Sequence, residues 1–143
     1  MLCREATLQD EDEVFRLAAN LATSFILNKE RFSQIYLDII NNSNADLIVA
    51  QIDSKIIGYV LVFHHSTFYA NGVISWVEEL FVLEEHRRKK IGQKLMVLIE
   101  EQAQDRGSKL IALATRRASE FYKSIGYTES ASYFKKILAS TNG

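Results

Sequence analysis

The chain has no proline and a single cysteine, Cys3, among its 143 residues. Without proline, its reversals fall to Gly, Asn, Asp and Ser. With one thiol, no intramolecular disulfide forms, as expected of a protein in a reducing cytoplasm. Cys3 itself reads as a small apolar residue of a first strand. No apolar run is long enough to span a bilayer. The opening residues MLCREATLQDED hold no hydrophobic signal core, so a cytoplasmic protein with no membrane contact is expected. Repeats and low-complexity tracts are missing too, and one domain over residues 1–143 is the expectation. His64-His65 has no further His or Cys at metal-ligand spacing, which argues against a metal site. Neither GxxxxGK[ST] nor GxGxxG occurs, so the common nucleotide loops are set aside.

What is present begins with a 48% apolar content, enough for a packed core. The net charge is −1, but it is unevenly spread. Residues 1–86 hold 5 basic and 13 acidic side chains, and residues 87–143 hold 12 and 5. An acidic half beside a basic half suggests one cationic and one anionic ligand. An isoelectric point of about 6.3 and the acidic first half argue against nucleic acid as a partner.

Residues 1–6 read as a short strand. Thr7 is a candidate helix cap, with acidic residues from Asp10 to Glu13 loading the first turns. Val14, Leu17, Ala18 and Leu21 then recur at helical spacing. A second helix fits 29–41. Residues 46–51 and 56–64 read as strands joined by an Asp53-Ser54-Lys55 turn. A polar and aromatic loop closes at Asn71-Gly72, and 73–83 is a long strand. Residues 91–106 read as a helix with Gly107 as its left-handed cap. Residues 110–114 are wholly apolar, which predicts a strand buried on both faces. A short helix over 116–125 and one or two strands in 127–138 complete the pattern. The order β-α-α-β-β-β-α-β-α-β predicts an α/β fold with a mixed sheet and helices on both faces.

The densest chemistry lies in Leu80–Met96, LFVLEEHRRKKIGQKLM. An apolar strand ends at two carboxylates. Arg87, Arg88, Lys89 and Lys90 follow, and Ile91-Gly92-Gln93 opens the helix. Four cations before a helix N-terminus suit a di- or polyphosphate. Just upstream, Glu78 and Glu79 interrupt a strand that is otherwise apolar. Buried carboxylates are costly unless they face a cleft or a partner. Strand alternation puts the two on opposite faces. A bulge would upset that count, and the sequence leaves the choice open.

Arg87-x-x-Lys90-x-Gly92 resembles the acyl-CoA pyrophosphate loop of the GNAT N-acetyltransferases, usually [Q/R]-x-x-G-x-[G/A]. Here Lys90 replaces the middle glycine. Ala118 to Tyr127, ASEFYKSIGY, is similar to the family's A-x-x-FY-x-x-x-G-[FY] signature. The stretch before it, Thr115-Arg116-Arg117, lacks the family's usual asparagine. The resemblance spans nearly the whole chain. It implies a GNAT-like fold and an N-acetyltransferase that uses acetyl-CoA as co-substrate. It assigns Arg87, Arg88, Lys89, Lys90, Ile91, Gly92 and Gln93 to the CoA phosphates, with Lys123 among the cofactor-binding residues. The backbone of Phe81 and Val82 would pair with the pantetheine arm, and the Val82 N–H would polarise the thioester carbonyl. Glu79 or Glu78 would accept the amine's proton, and Tyr122 would protonate the departing thiolate. The expected acceptor is a small cationic molecule or a peptide amine. Its site is expected from residues 20–40 and the 64–72 loop, with Trp76, Phe68 and Tyr69 as pocket candidates. Direct transfer in a ternary complex and a homodimer are also expected. The alternative is a non-catalytic acyl-CoA-binding or sensor module of the same fold.

Overall fold

The structure is a computed structural model that describes residues 1–139. Five strands form one sheet in the order β1-β2-β3-β4-β5. They are β1 (Leu2–Glu5), β2 (Ala45–Ile52), β3 (Lys55–Thr67), β4 (Gly72–Val82) and β5 (Ile111–Ala112). The first four pair antiparallel, and β5 runs parallel to β4. The helices are α1 (Glu11–Leu21), α2 (Lys29–Ile40), α3 (Ile91–Asp105) and α4 (Ser119–Ser124).

Each face of the sheet carries its own core. Val14, Leu17 and Ala18 of α1 and Tyr36 of α2 pack on Leu47, Val49, Tyr59 and Leu61. Ile91, Leu95, Met96 and Ile99 of α3 cover Ile48, Ala50, Ile57, Val60, Val62, Val77 and Val82. Alternation along β2 and β3 sends successive residues to opposite cores, so residues 47–50 and 59–63 are apolar without a break. Each large side chain so buried stabilises the fold by roughly 1.5–3 kcal/mol before entropy is counted.

The turns follow from local chemistry. Asp53 and Ser54 take positive φ in the two-residue β2–β3 hairpin. Gly107 (φ 77°) ends α3, and the Ser108 N–H donates to the Ala103 carbonyl at 2.9 Å. Asp10 accepts from the Thr7 N–H at 2.8 Å and from both terminal nitrogens of Arg4. A 3-10 turn (Leu8–Asp10) therefore precedes α1 where one continuous helix was expected.

Three expectations fail toward the carboxyl end. The strand expected at 110–114 shrinks to two residues, both only half-buried. It is not enclosed, because no further strand flanks it among the described residues. No strand forms in 127–138; this segment is exposed apart from Tyr127, leaving Tyr133, Phe134, Ile137 and Leu138 uncovered. A period-two apolar pattern makes a strand only where an edge is there to pair with it. The helix expected at 116–125 keeps only six residues, Ser119–Ser124.

Candidate active site

β4 carries the centre of the site, and a bulge decides its geometry. Thr67 faces Gly72 and Val62 faces Val77, but the next pair is Leu61 with Glu79. Glu78 is the extra residue. It is left exposed, touched by the Trp76 indole N–H at 3.4 Å. Glu79 instead turns to the α1–α2 side, half-buried, and accepts from the Tyr59 hydroxyl at 2.6 Å. Burial pushes the Glu79 carboxyl above its ordinary value, with Glu78 adding to the rise and the Tyr59 hydrogen bond opposing it.

Past the bulge, β4 has an open edge. The Leu83 N–H donates to the Ile57 carbonyl at 2.9 Å. Antiparallel alternation then directs the N–H groups of Val82 and Leu80 away from β3, toward the β5 side. β5 pairs with β4 only at Ser75 and Trp76. Beyond that point the two strands part, and these backbone groups have no strand opposite them.

A 3-10 turn (Glu84–Lys89) links β4 to α3 and carries the cations on its surface. Lys90 follows in the left-handed conformation, φ 60° and ψ 26°. The family's glycine suits that backbone without strain, whereas Lys90 adopts it at a cost of about 1 kcal/mol. The first α3 bond to reach back runs from the Lys94 N–H to the Lys90 carbonyl at 3.1 Å. No side chain caps the helix, so the N–H groups of Ile91, Gly92 and Gln93 point out of its end. Arg88, Lys89 and Gln93 are exposed around them. Arg87 folds back: its Nε donates to the Val82 carbonyl at 2.9 Å, and its guanidinium lies over the Phe81 ring. A cavity of about 460 Å³ flanks the first turns of α3 and is lined by Cys3, Lys90, Gln93 and Lys94 among others.

α4 closes this end. A β-carbon placed on Gly92 would lie 3.4 Å from the Phe121 ring and 4.0 Å from Leu80. β4, the α3 N-terminus and α4 therefore meet at Gly92. Tyr122 stacks edge-on against Phe121 and Tyr127. Among the described residues its hydroxyl makes no hydrogen bond, whereas Tyr127 donates to Glu100 at 2.8 Å. Burial raises the Tyr122 phenol above its ordinary value, so it stays protonated at neutral pH. Lys123 is exposed, 3.8 Å from Glu120 and 3.5 Å from Glu129.

Other expected features lie elsewhere. The hairpin tip with Phe68 and Tyr69 stands seven or more strand residues from Glu79, roughly 25 Å away. The 64–72 loop is thus not brought to the carboxylate. His64 lies deep at that far end, bonded to Asp46 and Ser75, while His65 is exposed. Much of the amino-terminal acid is also spent internally. Asp10 pairs with Arg4, Glu11 and Asp12 with Lys29, and Glu13 accepts from the Ile56 N–H. The charge asymmetry is therefore weak evidence for a cationic ligand. Tyr59 drew no attention in the sequence, since it sits in an apolar strand run.

A family model described as an acetyltransferase (GNAT) domain matches residues 43–129, and the chain belongs to that family. It is an acetyl-CoA-dependent N-acetyltransferase. Aminoalkylphosphonate N-acetyltransferase of Salmonella typhimurium is 29% identical over 139 residues, covering 94% of this chain and 90% of that protein. Glucosamine-6-phosphate N-acetyltransferase from Arabidopsis thaliana has the same fold, with a TM-score of 0.86 at 19% identity over 96% of this chain and 98% of that one. A transcriptional regulator from Bacillus halodurans C-125 also shares it, with a TM-score of 0.83 at 24% identity over 96% and 99%. No described helix is long and apolar enough to cross a membrane.

Proposed function

We propose that this enzyme moves the acetyl group of acetyl-CoA directly to the primary amine of a small cytoplasmic molecule. The observation that carries this reading is the gap beside β4. The N–H groups of Leu80 and Val82 lie open along it, on the way to the open N-terminus of α3. An extended pantetheine arm fits there as a surrogate strand, and the diphosphate meets the N–H groups of residues 91–93. Arg88, Lys89, Lys90 and Gln93 surround the phosphates. Arg87 supports the turn through Val82 and Phe81, and Lys123 lies at the outer rim.

In this reading Glu79 is the base and Glu78 is not. An alkylamine with a pKa near ~10.4 arrives protonated and must lose a proton to attack. Glu79, with its raised proton affinity, takes that proton directly or through water. The amine nitrogen bonds to the thioester carbon, and the Val82 N–H steadies the resulting oxyanion. The C–S bond then breaks, Tyr122 gives its proton to the leaving sulfur, and the second proton lost by the nitrogen passes through water to restore the phenol.

The acceptor class follows from the relative that acts on aminoalkylphosphonates: an amine on a short chain bearing an anion. This replaces the purely cationic acceptor, because the acidic side chains near the amino terminus are largely paired. A homodimer belongs to the same reading, supported by the apolar residues left uncovered at 133–138.

The test is release of free thiol from acetyl-CoA with a panel holding aminoalkylphosphonates, diamines and a peptide amine. Turnover greatest with the phosphonates is expected. Turnover only with diamines or peptides would overturn the acceptor class. Thermal stabilisation by acetyl-CoA without any thiol release would make the chain a binding module. Light scattering during gel filtration reads the dimer directly.

A further inference from the structure

We propose that Tyr59 is a positioning residue for the base, pinning one oxygen of Glu79 so that the other is presented to the acceptor. The inference rests on the reading of Glu79 as the proton acceptor and adds how its carboxylate is held. Tyr59 lies on β3 and is 1% exposed. Its hydroxyl donates to Glu79 Oε1 at 2.6 Å. Among the described residues, neither group has another hydrogen-bond partner, so Glu79 Oε2 is unengaged. The bulge at Glu78 creates the pair. Without it Leu61 would face Glu78, and the carboxylate reaching toward Tyr59 would belong to a different residue.

The arrangement has one direction. Burial beside Glu79 drives the phenol far above its ordinary value. Tyr59 therefore stays protonated over the working range and can only donate. A carboxylate held by one short bond loses rotation about its last torsion, and the free oxygen keeps a fixed bearing. The same bond favours the ionised form of Glu79 against burial. The ionisable groups acting on Glu79 are Tyr59 from β3 and Glu78 from β4; α1 and α2 contribute none that shifts it.

The experiment is the pH profile of kcat/KM for Tyr59→Phe. A base must be deprotonated to act, so the acid limb reports Glu79. Losing the phenol hydroxyl removes a bond to the ionised form, and the limb moves to higher pH by about one unit. The plateau kcat falls about tenfold from lost orientation, with the acetyl-CoA KM within about twofold of the parent. Placing a fluorotyrosine at position 59 keeps the shape but makes the phenol more acidic and the bond stronger. The limb then moves to lower pH, and this measurement stands even where Tyr59→Phe folds poorly. A limb unmoved by either change, in an enzyme that Glu79→Gln inactivates, overturns the role of Tyr59 alone. Full activity in Glu79→Gln overturns the base and its positioning together.

Discussion

The two ends of β4 carry similar polar chemistry and treat it in opposite ways. At the start of the strand, Ser75 is fully buried, and its hydroxyl lies 2.7 Å from His64 Nδ1 and 2.6 Å from Ser108 Oγ. His64 Nε2 meets Asp46 at 2.7 Å, and Arg106 lies 3.3 Å from the same carboxylate. Carboxylate, imidazole and hydroxyl thus stand in a row, an order that suggests catalysis. Yet Ser75 and His64 are both shut away from solvent, and each satisfies the other. Four residues further along β4, Glu79 keeps one free oxygen, Val82 an unpaired N–H and the nearby Tyr122 an unbonded hydroxyl. Chemistry is marked by what the fold leaves unpartnered at an accessible gap, since a closed network mainly stabilises.

The largest expected effect breaks the open end. Glu79→Gln lowers kcat by about 10²- to 10⁴-fold with little change in melting temperature, read by thiol release and thermal unfolding. If Glu78→Gln is the more damaging change, the bulge has been misjudged and the comparison fails. Next, Tyr122→Phe lowers kcat by about 10²-fold while the acetyl-CoA KM stays near the parent value. Unchanged turnover would remove Tyr122 from the reaction. At the closed end, His64→Leu removes one hydrogen bond from buried Ser75 and one from half-buried Asp46 and costs about 1–3 kcal/mol in a urea titration, with turnover per folded molecule preserved.

A pH series sharpens the same contrast. Burial holds the His64 imidazole below its ordinary value. The unfolded chain takes up this proton near pH ~6.5, which the folded protein resists. The contribution of His64 to stability is complete above that pH and is lost as pH falls toward the folded value. His64→Leu should flatten this slope in unfolding measurements between roughly pH 7 and 5. The smallest effect lies in the turn. Lys90→Gly relieves a left-handed backbone and stabilises by about 0.5–1 kcal/mol, with a modest rise in the acetyl-CoA KM from the lost charge.

Most of the sheet and its covering helices were readable in the sequence, because each rests on local signals. The helical spacing of Val14, Leu17 and Ala18, the Gly107 cap and the Asp53-Ser54 turn all act within a few residues. The phosphate loop was readable for the same reason, since its cations are contiguous. Glu79 could not be separated from Glu78, because the answer lies in register. Counting back from the 68–71 turn pairs Leu61 with Glu78, and only the bulge shifts that by one. Tyr59 was hidden by the same shift. The segment 127–138 misled in the opposite way: its composition fits a strand, but a strand also needs a neighbour, which composition does not supply.

The parting of β4 from β5 also bears on how the protein behaves when idle. An open strand edge is a template for any passing strand, including that of another copy. Resting enzyme at high concentration is then prone to slow edge-to-edge clumping, and a bound nucleotide thioester would act as a solubiliser as well as a substrate. Deuterium uptake would register the protection directly. The amides of Leu80 and Val82 should exchange quickly in the free protein and slowly once the gap is filled, while those of β2 hardly change.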